Sequence, residues 1–303
     1  MRNQDIPILS KRFFALDNVH GPTQWAVDAI LICMSIAMVQ CWVTLYPIAL
    51  VIIAARQRAL ADLLHQASHL ALARSRGLNR FLGTWCSGYL VFQTWKAYIE
   101  SHVAKHHGRF GKLEDPDLDF MREIGLYGPF DLLSLWRGLK RYWHYLVVNR
   151  LTVRDNRAEA LRLIALWTAI VIVAGPMNVL AFWIVPMLLA YAPIGYLIEI
   201  AEHWPLMEAG HPLYQTRNRS SSWLEGWLFS THDENYHLLH HLYPRLPNKS
   251  FKAVHAHLSG TWPEYRAWCA ANGGVLFSGN GTPSVVQLLL RSAAAMHERT
   301  PIK

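Results

Sequence analysis

Residues 235–247, NYHLLHHLYPRLP, place three imidazoles, His237, His240 and His241, within five positions and then close on a turn built around Pro244 and Pro247. A single histidine pair at helical spacing is ordinarily a surface feature. Here the pattern repeats. HQASH carries His65 and His69, and HVAKHH carries His102, His106 and His107, so three separate segments hold eight of the sixteen histidines. Residues three and four apart share one face of a helix. Each segment is therefore expected to present its imidazoles in one direction, as a metal site requires.

Composition sets the class. The chain has 303 residues, is 52% hydrophobic, and carries thirteen tryptophans but only 17% charged residues, an apolar and aromatic balance for a soluble protein. An integral membrane protein is expected. No charged residue lies between Asp28 and Arg56, or between Arg162 and Glu199. Each stretch is too long for one span and suits two. The first breaks at TLYPIA around Pro47, the second at AGPMN around Pro176. The expected spans are about 25–43, 48–65, 159–175 and 179–199, each near the ~20 residues that cross a bilayer. A shorter uncharged run, Phe81 to Trp95, reads as re-entrant or interfacial. MRNQDIPILSKRFF lacks the apolar centre of a signal peptide, so the protein is expected to stay anchored by its own helices.

Charge gives the orientation. Arg2, Lys11 and Arg12 precede the first span, Arg56 to Arg80 follow the second, and Arg150, Arg154, Arg157 and Arg162 precede the third, whereas the two outer turns hold no Lys or Arg. By the positive-inside rule both hairpins point outward and the termini are cytoplasmic, as in a bacterial inner membrane. The net charge of +8 then meets anionic headgroups rather than nucleic acid. Cys33, Cys41, Cys86 and Cys269 are too scattered for a disulfide framework or a CxxC zinc site. No repeat, low-complexity tract or linker divides the chain. The expected fold is thus one all-α membrane domain over residues 1–303: four transmembrane helices in two hairpins, with a cytoplasmic helical cap holding the metal site. The cap spans about 204–303, and a cytoplasmic insertion spans about 111–158, within which LWRGLKRYWHYL reads as an interfacial helix.

Counted from Pro47, His65 lies ~27 Å along its helix at 1.5 Å per residue, against a bilayer core of ~30 Å. It emerges at the cytoplasmic surface. The last span delivers EIAEHW, and so His203, to a similar height. Nine imidazoles in one layer are too many for one ion and suit two metals with four or five ligands each, leaving positions open for oxygen. Imidazole alone does not choose among iron, copper, nickel and zinc. The lack of clustered cysteine argues against structural zinc, and Gln66 stands where an HExxH peptidase has its catalytic Glu. Bis-histidine haem ligation would put single histidines on facing spans.

The boxes HQASHLALARSRGLNRFLG, HVAKHHGRFGKLEDPD and NYHLLHHLYPRLP, in this order after membrane hairpins, resemble the membrane fatty acid desaturase superfamily of acyl desaturases, acyl hydroxylases and carotenoid hydroxylases or ketolases. The likeness covers roughly residues 45–260. It implies a non-haem di-iron centre held by His65, His69, His102, His106, His107, His203, His237, His240 and His241, with O2 as co-substrate. Two positions differ from the family pattern: Gln66 stands where an acidic residue is common, and Leu239 where many relatives have Glu. Neither removes a ligand. The chain has no HPGG motif of a fused cytochrome b5, so electrons are expected from a separate ferredoxin-type carrier with its reductase.

Asp62, Glu100, Glu199, Glu202, Asp233 and Glu234 lie within four residues of these histidines, and with Asn235 they are candidates to accept the other imidazole N–H. Asp115 and Asp117, in EDPD, read first as a cap or turn and second as support for the metal site. His20, His144, His211, His232, His255, His257 and His297 match no box. The expected reaction is O2-dependent removal of hydrogen from an unactivated C–H bond of a lipid, an acyl-thioester or a small apolar substrate. A second abstraction gives an alkene and return of oxygen gives an alcohol; desaturation of an acyl or acyl-like chain is the expected outcome. A hydroxylase of a lipid, a carotenoid or a small amino-acid-derived molecule is the alternative, and a membrane metal-binding or transport protein or a metallohydrolase a distant one. A transporter would hold its ligands at mid-span rather than at span ends.

Overall fold

The computed structural model describes residues 6–127, 131–146, 157–220, 222–279 and 281–297. Arg2, Arg150 and Arg154, which enter the orientation argument, lie outside these, as do parts of the expected 111–158 insertion. Among the described residues the chain is helical, with one isolated bridge between Gly279 and Thr282. In order, the helices are α1 (His20–Cys41), α2 (Tyr46–Ser68), α3 (Arg76–Thr84), α4 (Trp95–Tyr98), α5 (Pro116–Glu123), α6 (Leu132–His144), α7 (Arg157–Ala174), α8 (Pro176–Val179), α9 (Ala192–His203), α10 (Trp223–Leu228), α11 (His237–Leu242), α12 (Phe251–Thr261), α13 (Pro263–Ala270) and α14 (Val285–His297). π-helical segments lie at Ile99–His107, Leu180–Ile184 and Met187–Tyr191. The chain divides into two compact units, one of Leu16–Glu100 and Trp143–Gly195, the other of Met1–Ala15, Ser101–Tyr142 and Tyr196–Lys303.

The first unit is built on apolar helices. Among the described residues three stretches are long and apolar enough to cross a membrane: His20–Cys41, Val43–Ser68, and Pro176–His203, whose last turns belong to the second unit. Sequence reasoning expects four. The remaining one forms as α7, but its eighteen residues include Arg157, Glu159 and Arg162. The first break is also displaced. The backbone leaves the helix at Trp42 (φ −142°, ψ 90°), and Pro47 sits in the first turn of α2. Proline is tolerated there because the first turn has no hydrogen bond for it to remove. The second break falls at Gly175, where φ is +83°, as the Gly-Pro pair suggests.

Within this unit Asp28 and Arg56 form a buried ion pair at 3.0 Å. Gln57 Nε2 donates to the Trp183 carbonyl at 2.9 Å and Tyr46 Oη to that of Ala181 at 2.7 Å, tying α2 to the helical stretch that follows Pro176. The run Phe81 to Trp95 forms no long helix: α3 ends at Thr84, a short 3-10 turn covers Gly88–Val91, and Phe92 is left-handed at φ 58°. Buried carbonyls need donors. Trp25, Trp167 and Trp183 supply them, each donating its indole N–H at 2.8 Å, to Cys86, Tyr89 and Leu90 respectively.

The second unit has its own core. Leu9, Leu213, Leu238, Leu239, Leu246, Phe251, Val254, Leu258, Trp262 and Tyr265 pack together, joining α11, α12 and α13 to the N-terminal segment. Leu238 and Leu239 belong to the third histidine box, and both are fully buried. The box is thereby fastened by its leucines. Burial of each contributes ~1.5–3 kcal/mol.

Candidate metal centre

The second box, at i, i+4 and i+5, would not share one face of an α-helix, where residues five apart point ~140° from each other at about 100° per residue. The chain solves this by winding Ile99–His107 as a π-helix. Its i→i+5 hydrogen bonds widen the turn, so residues four and five apart fall on either side of one line. His102, His106 and His107 are thereby gathered, with ring centroids 4.7 to 5.3 Å apart. Sequence reasoning expects a common face here but not the helix type that produces it.

The third box is an ordinary α-helix of six residues, HLLHHL, where i, i+3 and i+4 suffice. The turn before it is strained: His232 and Asp233 are both left-handed, at φ 54° and 65°. His203, the last residue of α9, joins from another direction. Two groups of nitrogens result. His106, His203 and His241 each bring one ligand atom within 4.8 Å of the others. His237 completes them: its Nε2 lies 3.2 Å from that of His203 and 3.0 Å from that of His241, which in turn is 3.3 Å from that of His106. Beside them His102, His107 and His240 offer nitrogens within 4.8 Å of one another, with His240 and His107 Nε2 2.9 Å apart. Phe110 lies over three of the rings, 5.0 Å from His106, 5.5 Å from His203 and 4.6 Å from His241.

Chemistry of the donors favours a cation. A neutral imidazole has one N–H and one acceptor nitrogen, yet Nε2 of both His237 and His241 faces two other ring nitrogens. Lone pairs aimed at one another repel unless a positive charge lies between them. The outer nitrogen of His106 is already occupied: Nδ1 lies 3.0 Å from Asp115 Oδ1 and 3.0 Å from Asp117 Oδ2. That arrangement leaves Nε2 for a metal. Burial alone would push the His106 pKa down, but Asp117 and Asp115 outweigh it and hold it up at about 10. Burial, with His107 and His237 nearby, keeps His241 well below the ordinary histidine range, so it is neutral and ready to ligate. The donors are all imidazole and carboxylate; the cysteines lie elsewhere in the chain. This set suits a transition metal such as iron, copper, nickel or zinc.

Asp115 shows how the local fold supports the site. It caps α5 by accepting from Asp117 N at 3.0 Å, and it accepts from Gly111 N at 2.9 Å as well as from His106. The expected order of roles, cap first and support second, becomes both at once. Gly111 is left-handed (φ +66°), and a Cβ there would collide with the Met207 carbonyl.

The other candidates separate. Glu202 Oε1 lies 3.6 Å from His237 Nδ1, and Glu199 is grouped with Asp117 and His203. Asp233 instead pairs with Lys252 at 2.9 Å, on the surface. Glu234 and Asn235 act through their backbone carbonyls, which accept from Arg219. Asp62 pairs with Arg58 at 3.0 Å and Glu100 is exposed. His65 and His69 are buried at the end of α2 in the first unit, with rings 5.4 Å apart, edge to face. Of the histidines outside the boxes, His255 bonds Tyr265 Oη at 2.9 Å and His211 accepts from Leu213 N, both as packing residues. Arg219 and Phe110 escape sequence reasoning, because TRNRSS and a lone phenylalanine carry no spacing signal.

The sequence matches the family described as Fatty acid desaturase over residues 42–272, a range that contains all nine box histidines. The chain belongs to this family. It is 31% identical over 313 residues to dihydrorhizobitoxine desaturase of Bradyrhizobium elkanii, covering 94% of this chain and 88% of that protein. It is 23% identical over 232 residues to a chloroplastic omega-6 fatty acid desaturase of Glycine max, covering 66% of this chain and 53% of the relative. The corresponding Brassica napus protein is 21% identical over 230 residues, with 66% and 51% covered. The chain spans about half the length of these two plant relatives. As a member of the desaturase family it is an oxidoreductase, and its apolar helices fit a membrane protein.

Proposed function

We propose that this desaturase removes two hydrogens from adjacent carbons of an acyl or acyl-like chain, using O2 at a pair of irons. The observation that carries this reading is the convergence of the box histidines of the second unit as two adjacent all-nitrogen groups, with the outer nitrogen of His106 turned to Asp115 and Asp117. The nine box histidines, His65 and His69 included, are proposed as the ligands of the two irons, with four or five to each. Bound iron would supply the oxidising power to break an unactivated C–H bond.

The chain's own residues do the rest. Asp115 and Asp117 hold the His106 proton at Nδ1, and the Glu202 carboxylate lies 3.6 Å from His237 Nδ1. Phe110 keeps water from the imidazoles it covers. Electron balance demands a partner: the substrate gives up two electrons and two protons, whereas reducing O2 to two waters takes four of each. A ferredoxin-type carrier with its reductase is proposed to deliver the remaining two electrons. The protein is proposed to act as one domain in a bacterial inner membrane, with four spans and with its termini and metal site on the cytoplasmic side, as the arginines around the spans favour.

A second substrate reading has a specific basis. The likeness to dihydrorhizobitoxine desaturase runs over 94% of the chain, against 66% for the plant fatty acid desaturases. A small molecule of that kind is therefore proposed as the alternative substrate. Membranes incubated with acyl substrates, with dihydrorhizobitoxine, a ferredoxin-type donor and ¹⁸O₂ decide among these. A product two hydrogens lighter supports desaturation, while one carrying ¹⁸O without a new double bond would make the protein a hydroxylase.

A further inference from the structure

Arg219 is an arginine that stability does not explain. Its side chain is fully buried, yet its Nε and Nη1 make no hydrogen bond. Desolvating a guanidinium so incompletely paired is costly, and a buried ion pair is weak grounds for stability. All its side-chain hydrogen bonds come from Nη2, which donates to Glu202 Oε1 at 3.0 Å and to the Glu234 carbonyl at 2.9 Å. Its backbone is bound to the same segment. Arg219 N–H donates to the Asn235 carbonyl at 2.9 Å, and Asn235 Nδ2 donates back to the Arg219 carbonyl at 3.4 Å.

Both targets lead to ligands. Glu202 precedes His203, and the oxygen that Arg219 holds is the one 3.6 Å from His237 Nδ1. Glu234 and Asn235 follow the left-handed pair His232 and Asp233 in the 3-10 segment Thr231–Tyr236 that leads into α11. A strained turn needs surroundings that over-determine it, and Arg219 grips it at two successive residues.

We infer that Arg219 is a positioning residue of the metal centre: it holds the Glu202 carboxylate beside His237 and next to His203, and through the Glu234 and Asn235 carbonyls it fixes the turn that leads into α11. This rests on the proposed reading of the histidines as iron ligands. Arg219 acts on the group containing His203 and His237, not on the one containing His102 and His107.

The test uses the full chain in detergent, loaded anaerobically with ferrous iron for elemental analysis and with Co(II) for its visible spectrum. In Glu202→Gln and Arg219→Ala one of the two ions binds ~10–100-fold more weakly, and the cobalt bands of that ion alone change. Arg219→Lys falls between, since lysine brings the charge without the planar fork. The double variant Glu202→Gln/Arg219→Ala is no weaker than the worse single one, as expected for residues acting in one chain of contacts. Melting of the metal-free proteins separates this from a structural role. If Arg219→Ala is unstable and Glu202→Gln, which keeps the side-chain volume, loads both ions like wild type, the inference is overturned. Wild-type affinity and spectrum in both variants overturn it equally. A wild-type chain that takes up no iron would overturn the proposed function first, and this inference with it.

Discussion

The second and third histidine boxes differ in spacing by one residue, and that residue changes how each is held. His237, His240 and His241 fit a plain α-helix, whose other side is anchored by Leu238 and Leu239 in an apolar core. His102, His106 and His107 need a π-helix, and the anchor there is polar: Asp115 and Asp117 reach back from the next turn to His106. Apolar burial fixes a helix without choosing a tautomer, whereas a carboxylate fixes both.

The contact joining the two boxes is the place to break them together. His107→Ala or His240→Ala removes one side of the 2.9 Å pair and is expected to abolish turnover, while His144→Ala, on the exposed end of α6, leaves it intact. Product mass and iron content report both. Changing the spacing tests the helix types directly. One alanine inserted between Leu238 and Leu239 gives the third box the spacing of the second and turns His240 and His241 by ~100° in an α-helix. Activity should fall ~100-fold or more, given what ~1 Å of misplacement costs. Deleting Ala104 gives the second box α-helical spacing, and its loss should be smaller because a regular helix then serves all three histidines.

The polar anchor is probed at Asp115. Asparagine caps a helix as well as aspartate, but alanine loses ~1 kcal/mol. Asp115→Asn, which keeps the cap but loses the oxygen that accepts from Gly111 N, should therefore cost less stability than Asp115→Ala, and both should lower iron affinity ~10-fold or more. A drop in stability alone, with iron binding unchanged, would show that Asp115 is only a cap.

Acidity sharpens the same contrast. His106 is held at about 10 in the folded chain by Asp117 and Asp115, against burial, and an unfolded histidine titrates at ~6.5. The folded value is the raised one, so this stabilisation is complete below about 6.5 and is lost as pH rises towards about 10. Metal-free protein should melt progressively lower across that window, and Asp117→Asn should flatten the trend. Iron displaces the same proton, so its affinity should rise over the same range. The smallest effect is expected at the surface. Lys252→Ala breaks the exposed pair with Asp233 and should cost less than ~1 kcal/mol, with iron binding unchanged.

The sequence by itself determined the kind of protein and its candidate ligands, because both are written in local pattern. Long uncharged stretches imply apolar helices, and repeated histidines at helical spacing imply a metal. Gly175 and Pro176 marked their break correctly, since glycine freedom and the missing proline N–H are properties of those residues. Pro47 marked the turn less sharply because proline also opens helices: the chain turns at Trp42, and Pro47 lies in the first turn of α2. Tertiary structure alone decided which carboxylates matter. Asp233 is four residues from a ligand yet faces Lys252, while Asp117 is eleven residues from His106 and touches it. It also decided that Arg219 is buried against Glu202, seventeen residues back. Such partners are chosen by the direction in which folded elements bring their side chains together, and separation along the chain does not encode that direction.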